Sequence, residues 1–231
     1  MLAEAGGRPV AVVTGVSSGI GEAVARRLLD DGWAVTGISR RRPAFESAHL
    51  TWLQADLLDP AAVDAVAARA PDPDAVVHAA GVLRSAPLGS LDPDALATMW
   101  RLHVDVPSRL VDALAGRLAD GGRVVLIGSR TSVGTAGKSQ YAATKAAQEA
   151  LSRSWAIELA PRQVTVNVVA PGPTRTAMLD DPGRSGTPPQ VPSLGRFVEP
   201  SEVAALVAFL LGPDGRSITG QRLVVCGGAS L

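Results

Sequence analysis

Tyr141 and Lys145 stand four residues apart in "SQYAATKAA", residues 139–147, and the composition makes the pair conspicuous. The chain has one tyrosine and two lysines, Lys138 and Lys145, and its other twenty basic residues are arginine. On a helix, residues four apart share a face, so a phenol and an ammonium at this spacing can meet one bound molecule. A free phenol ionises near 10; a neighbouring ammonium stabilises the phenolate and brings the group towards the range where it trades protons at neutral pH. Such a pair suits giving a proton to a carbonyl oxygen being reduced, or taking one from an alcohol being oxidised. Tyr-x-x-x-Lys alone is a common surface pattern, and its weight here comes from its position and its company.

A second constellation could hold a nucleotide. In "TGVSSGIGEAVARRLLDDG", Gly15, Gly19 and Gly21 follow an apolar β-branched run and lead directly into a helical pattern. Glycines there allow a tight turn and close backbone approach, and a helix N-terminus offers free N–H groups and a positive dipole end to a pyrophosphate. Gly15, Ser17, Ser18, Gly19, Ile20 and Gly21 are therefore expected at a dinucleotide. The end of the second strand selects the cofactor, since an acid there binds the ribose 2′-hydroxyl and an arginine accommodates a 2′-phosphate. The sequence reads "GISRRRP", with Ser39, Arg40, Arg41 and Arg42 and no carboxylate. A planar cation that pairs bidentately with phosphate predicts NADP(H) rather than NAD, with Ser39, Arg40 and Arg41 at the ribose. Three arginines on a solvated face is the plainer alternative.

The elements that must position these residues follow from the hydrophobic pattern. Short apolar runs at 10–14, 34–39, 50–53, 75–79, 123–128, 164–170 and 222–226 alternate with helical segments near 20–31, 60–70, 92–118, 140–160 and 201–211. That alternation predicts an α/β fold: a doubly wound, seven-stranded parallel sheet with helices on both faces, in one domain spanning 1–231. Cap signals such as "LDP" before 60 and "LDPDA" at 91 open several helices. The Pro/Gly-rich interval 171–197 is expected to be a loop over an active site, with 177–197 forming its variable substrate-facing part; a disordered surface excursion is the alternative.

The bulk numbers narrow the partners. A formal net charge of zero with 46% hydrophobic residues and 19% charged ones gives no electrostatic case for nucleic acid or an anionic membrane. No stretch approaches the roughly 20 apolar residues of a membrane span. Cys226 has no second cysteine to pair with, and the first ten residues lack the pattern of a signal peptide, so a cytoplasmic location is expected. Nothing in this constellation calls for a metal.

"TGVSSGIG", "HAAG" at 78–81, Tyr141-x-x-x-Lys145, "NVVAPGPTRTAM" and the ending "ITGQRLVVCGGASL" occur in the order found in the classical short-chain dehydrogenases/reductases, and the chain resembles that family from residue 10 onward. The resemblance implies an NADPH-dependent carbonyl reductase or alcohol dehydrogenase acting on a small molecule. It places Asp56 and Leu57 near the adenine, and Ala79, Ala80 and Gly81 against the cofactor, with His78 standing where relatives carry Asn. It assigns Ser129 to the substrate oxygen, with Ser132 and Thr131 as lesser candidates, and leaves Arg130 facing either substrate or solvent. Lys145 would also bond the nicotinamide ribose. Pro171 and Gly172 would meet the carboxamide, and Thr174 and Thr176 the carboxamide or diphosphate. Cys226 replaces an Asp of the family ending. His103 matches the Asn that anchors a proton-relay water, and is read either as a relay or as a structural histidine. A homo-oligomer, tetramer or dimer, is implied through the helices at 92–118 and 140–160.

A 3-oxoacyl reductase acting on carrier-bound or CoA-bound chains is the second enzymatic reading, and the ending is also similar to reductases of aromatic polyketide pathways. A nucleotide-binding scaffold without turnover is the reading from another class; an intact Ser, Tyr and Lys speaks against it.

Overall fold

Alternation along the central strands decides which helices cover which face of the sheet. In β1 (Val10–Thr14), Ala11 and Val13 join one buried cluster and Val12 the other; in β5 (Arg123–Ile127), Val125 and Ile127 join the first, and Val124 and Leu126 the second. Each side chain pointing to the opposite face from its neighbour is the two-residue period of a strand buried on both sides. The first cluster packs under α1 (Gly19–Asp30) and α6 (Pro200–Leu211), through Val24, Leu28, Val203 and Val207. The second packs under α2 (Pro60–Arg69), α4 (Val106–Ala115) and α5 (Ser139–Leu159), through Val63, Leu110, Leu114 and Ala156.

With β2 (Ala34–Ser39), β3 (Leu50–Gln54), β4 (Ala75–His78), β6 (Thr165–Pro171) and β7 (Arg222–Val225), the strands form one parallel sheet in the order β3-β2-β1-β4-β5-β6-β7. This is the expected seven-stranded doubly wound sheet, with each boundary within a residue of its expected place. The computed structural model describes residues 7–181 and 188–231. Of the expected substrate loop, 182–187 lie outside the described residues. Among the described residues no helix is long and apolar enough to cross a membrane.

The order reverses between β1 and β4, where Thr14 pairs in register with His78. In open α/β sheets the crevice beyond the carboxyl ends of the strands at this reversal is where ligands bind. Helix starts are fixed by short-range chemistry: Asp59 accepts from the N–H of Ala61 ahead of Pro60, Asp92 from Asp94 and Ala95 ahead of Pro93, and Glu199 and Glu202 form a reciprocal cap on α6.

One expected element comes apart. The single helix expected over 92–118 is α3 (Pro93–Trp100), a π turn over Arg101–Asp105, then α4. The N–H of Val106 reaches back five residues to the carbonyl of Arg101. The next carbonyl, that of Leu102, would need the N–H of residue 107, and Pro107 has none. Such π insertions are frequent at functional sites, and this one carries His103.

Candidate active site

Beyond the carboxyl ends of the strands lies a cavity of about 690 Å³, and every residue expected at the catalytic and cofactor positions lines it. Gly15 and Gly19 adopt the positive φ values of 78° and 61° that a side chain resists. A Cβ on Gly21 would lie 2.4 Å from the carbonyl oxygen of Gly15, so only glycine lets α1 pack on the turn. Ser18 sits at the N-cap of α1 with no side-chain bond to the helix. The first N–H groups of a twelve-residue helix therefore open to the cavity without a cap, which is how a chain presents a site for an anion.

At the end of β2, Ser39 Oγ donates to the carbonyl of Arg41 (2.7 Å) and accepts from Trp52 Nε1 (3.1 Å). Gln54 Nε2 donates to the carbonyl of Arg40 (3.1 Å). The hydroxyl of Ser39 is thus committed to holding the backbone that carries the exposed Arg40 and Arg41 at the cavity. Trp52 and Gln54 went unread in the sequence because their bonds cross from β3. Asp56 accepts from the N–H of Leu58 (3.0 Å), a local turn that fixes the loop after β3.

The "HAAG" segment is tied down by Thr14, which the sequence did not single out. Its Oγ1 accepts from the N–H groups of Ala79 (3.0 Å) and Ala80 (3.1 Å) and lies 3.0 Å from His78 Nδ1. His78 Nε2 donates to the carbonyl of Leu102 at 3.0 Å, the oxygen that Pro107 leaves without a helical donor. His78 Nδ1 then accepts from the Thr14 hydroxyl, so all of these groups are satisfied. Burial, and secondarily the charge of Lys145, lowers the His78 pKa to about 3, which keeps the ring neutral. The imidazole therefore spans from Thr14 on β1 to the π turn and ties the two together.

His103 is fully buried. Its Nε2 accepts from the N–H of Val82 (3.2 Å), so Nδ1 carries the proton and donates to Thr144 Oγ1 (2.9 Å), which donates in turn to the carbonyl of Tyr141 (2.9 Å). The ring meets that of Tyr141 edge-on, with centroids 5.6 Å apart. Burial first, then Lys145 and His78, holds its pKa well below the usual imidazole range. This environment removes the usual titration near 6.5, and the bonds made by the neutral ring join residue 82 to α5.

On α5, Tyr141 and Lys145 are both buried and both line the cavity. Lys145 Nζ donates to the carbonyl of Ile127 (2.8 Å) and to Gln148 Oε1 (3.1 Å). A Cβ on Gly81 would lie 3.2 Å from His103 Nε2 and 3.8 Å from Nζ, so the backbone of residue 81 runs close beside both side chains. Burial pushes the Lys145 pKa down to about 7. Ser129 caps a short 3-10 turn, its Oγ accepting from the N–H of Thr131 (3.2 Å) and lying 2.9 Å from Thr131 Oγ1. Ser129, Arg130 and Thr131 line the cavity; Ser132 does not, and its buried Oγ has no partner among the described residues. Pro171, Gly172, Thr174 and Thr176 close the other wall, where a Cβ on Gly172 would lie 2.8 Å from Cys226 Cα. Leu83, Lys138 and Met178 also line the cavity. No short-range motif marks them, since three separate loops bring them together.

Over residues 15–230 the chain matches the family described as Enoyl-(Acyl carrier protein) reductase. It is 35% identical to the 3-oxoacyl-(acyl-carrier-protein) reductase FabG of Salmonella typhimurium, over 95% of this chain and 96% of that protein. A blue fluorescent protein from a metagenomic library, solved in complex with NADPH, superposes with a TM-score of 0.86 at 35% identity, covering 96% of this chain and 98% of the other. A short-chain dehydrogenase of Burkholderia cenocepacia, solved with NADP, gives a TM-score of 0.84 at 34% identity over the same shares.

Proposed function

The chain belongs to the short-chain dehydrogenase/reductase family, and from that premise and the cavity we propose an NADPH-dependent reductase that converts a ketone of a small molecule to an alcohol. One observation carries this reading: Ser129, from the turn after β5, and Tyr141 and Lys145, from α5, line the same cavity as the uncapped N-terminus of α1 and the Arg40–Arg41 pair. The residues fit a phosphorylated dinucleotide. The α1 N–H groups would take the diphosphate, Arg40 and Arg41 the 2′-phosphate, and Gly81 would let the nicotinamide ribose approach Lys145. When bound, the reduced nicotinamide supplies the hydride.

The protein's own groups do the rest. Ser129 and Tyr141 hold the substrate oxygen, and Tyr141 gives it a proton as the carbon is reduced. Lys145 donates to Ile127 and Gln148, and in its ammonium form has a third N–H to offer the cofactor, which would couple cofactor placement to the proton donor. His103 acts as a positioning residue, holding α5 through Thr144. Thr174, Thr176 and Met178 form the wall beside the bound pair.

The test is oxidation of NADPH, followed by absorbance, against a panel of neutral ketones, quinones and 3-oxoacyl thioesters. Turnover of a ketone with NADPH is the expected result; binding of NADPH without turnover of any carbonyl would favour a nucleotide-binding scaffold. The FabG relative favours a second reading, reduction of 3-oxoacyl thioesters, and strong preference for the thioesters in that panel would select it.

A homo-oligomer, dimer or tetramer, is also proposed, in the cytoplasm. Trp100 on α3 and Ile157 on α5 are 43% and 77% exposed, and Phe209 on α6 and Val224 on β7 are 43% and 42% exposed, so two separate surfaces offer apolar side chains to a second copy. Light scattering that returned the 23.7 kDa of one chain would overturn it.

A further inference from the structure

Gln148 stands on the buried side of α5, three residues beyond Lys145, together with Thr144, Ser152 and Ala156. It is fully buried. Its Oε1 accepts from Lys145 Nζ at 3.1 Å, while its Nε2 has no hydrogen-bond partner among the described residues. A buried donor without a partner costs its full desolvation, and an apolar side chain of the same length would remove that cost. Helix propensity gives no reason for the amide either, since methionine and glutamine form helices about equally well. Where a chain keeps a buried group that packing and polar satisfaction both disfavour, the compensation is sought in function. The one hydrogen bond of this side chain goes to the lysine of the catalytic pair.

The amide cannot be turned over on an ammonium, because Nε2 would set donor against donor. With the carbonyl of Ile127 at 2.8 Å, Oε1 gives Nζ two fixed acceptors from two elements, β5 and α5. They stop the amine from rotating and leave it one further direction. In an ammonium that direction holds a third N–H; in a neutral amine it holds a lone pair. Nζ lies 5.9 Å from the ring centre of Tyr141. The other titratable groups against it are His78 on β4 and His103 on the π turn, both neutral, while Glu149 on α5 pairs with Arg222 on β7 at 2.8 Å. Arg40, Arg41, Asp56, Arg130 and Lys138 line the same cavity, and none of them bonds the amine. Burial drives the amine towards its neutral form, and the oxygens of Ile127 and Gln148 oppose it, since an acceptor holds an ammonium more strongly than an amine.

Resting on the carbonyl-reductase reading above, we propose that Gln148 is a positioning residue of that reaction: it holds the Lys145 amine between α5 and β5 and favours the ammonium, the form with an N–H left for the cofactor. Gln148 acts only through Lys145. Without its oxygen the amine keeps a single acceptor, swings about the bond to Ile127, and gives up its proton at lower pH.

The chain has only two lysines, Lys138 and Lys145, so an isotope label at lysine Cε gives two NMR signals to follow against pH in the cofactor-free protein, and Lys145→Met assigns them. The Lys145 signal should titrate at about pH 7 in wild type. Gln148→Met, which keeps the length of the side chain, should move that titration to lower pH by about one unit, the worth of one acceptor on a charged donor. Gln148→Glu keeps an acceptor and adds a negative charge, and should move it to higher pH. The limb of kcat/KM on which ketone reduction with NADPH falls as pH rises should shift in the same direction in each variant. An amide that only packs would change the melting temperature and leave both titrations where they are. A Lys145 signal that does not move, or a limb that stays in place while the signal moves, overturns the inference. So does a Gln148→Met that does not fold, because the amide is then part of the support of the core. Wild type that reduces ketones while its variants keep the same limb sinks this inference alone; wild type that reduces no carbonyl sinks the reductase reading and this inference with it.

Discussion

Lys145 Nζ lies 2.8 Å from the carbonyl oxygen of Ile127, the last residue of β5, and this bond joins α5 to the central sheet from inside a fully buried pocket. Burial pushes the pKa of the amine down to about 7. An unfolded lysine keeps its proton to about 10.4, so between pH 7 and 10.4 the unfolded chain binds more protons than the folded one, and stability rises with pH across that window. The penalty is complete below about pH 7 and gone above about 10.5. Removing the amine should therefore stabilise the protein, by up to about 4 kcal/mol at neutral pH before the two lost hydrogen bonds are subtracted. Thermal melting of cofactor-free wild type and Lys145→Met should show the variant melting higher near pH 7, with the gap closing towards pH 10. A gap that is independent of pH would show that the amine is charged in the folded state.

Tyr141→Phe removes only the phenolic oxygen from a buried ring, so packing against Leu83 and Met99 is kept while the proton donor is lost. General acid catalysis is typically worth about 10²–10⁴ in rate. Turnover of any ketone the wild type reduces should drop by that factor, and the dissociation constant for NADPH should stay within severalfold. Retained turnover would remove Tyr141 from the mechanism.

Arg40 and Arg41 are exposed, and their backbone is fixed by Ser39 and Gln54. Wild type should bind NADPH at least about tenfold more tightly than NADH by fluorescence titration, because a bidentate guanidinium–phosphate pair has no counterpart in NADH. Added salt should narrow the difference, since the pair is exposed. Arg40→Asp should narrow or invert it. Equal affinity of wild type for both nucleotides would reduce the arginines to surface charge.

What the sequence disclosed and what it hid divide along the range of the interactions. The glycine turn and the Tyr141–Lys145 pair are encoded within one turn and one helix face, and both stand where their spacing puts them. The strands were legible because two-sided burial leaves continuous apolar runs. The π turn at 101–105 was not, because its apolar period reads as one unbroken helix, and the donor that replaces the one Pro107 withdraws comes from His78 on β4, far away in the chain. The hold of Thr14 on residues 79 and 80, and that of Trp52 on Ser39, cross between strands and leave no pattern in either segment. Lys138 was visible only as the other lysine, since its burial depends on loops far away in the chain.

The two histidines make the last prediction. His78 and His103 both stay neutral in the folded protein, while unfolded imidazoles take up protons below about 6.5. The unfolded chain therefore binds more protons on the acid side, and stability should fall as pH drops from about 6.5 towards 4, with the contribution of each ring lost progressively. His78→Asn should flatten that slope by the equivalent of one proton. His103→Ala leaves the N–H of Val82 and the hydroxyl of Thr144 without their shared partner in a buried site, a cost of about 1–3 kcal/mol and a melting temperature lower by roughly 3–10 °C for a chain of this size. Catalysis gives the discriminating readout. An inflection of kcat/KM near pH 7 is expected from the coupled Tyr141–Lys145 pair, whose lysine is pushed down to about 7, and should persist in His103→Asn, because the imidazole does not titrate there. An inflection that disappears in His103→Asn, or a His103→Ala protein that melts with wild type yet turns over slowly at every pH, would return His103 to the proton path and end its assignment as a brace.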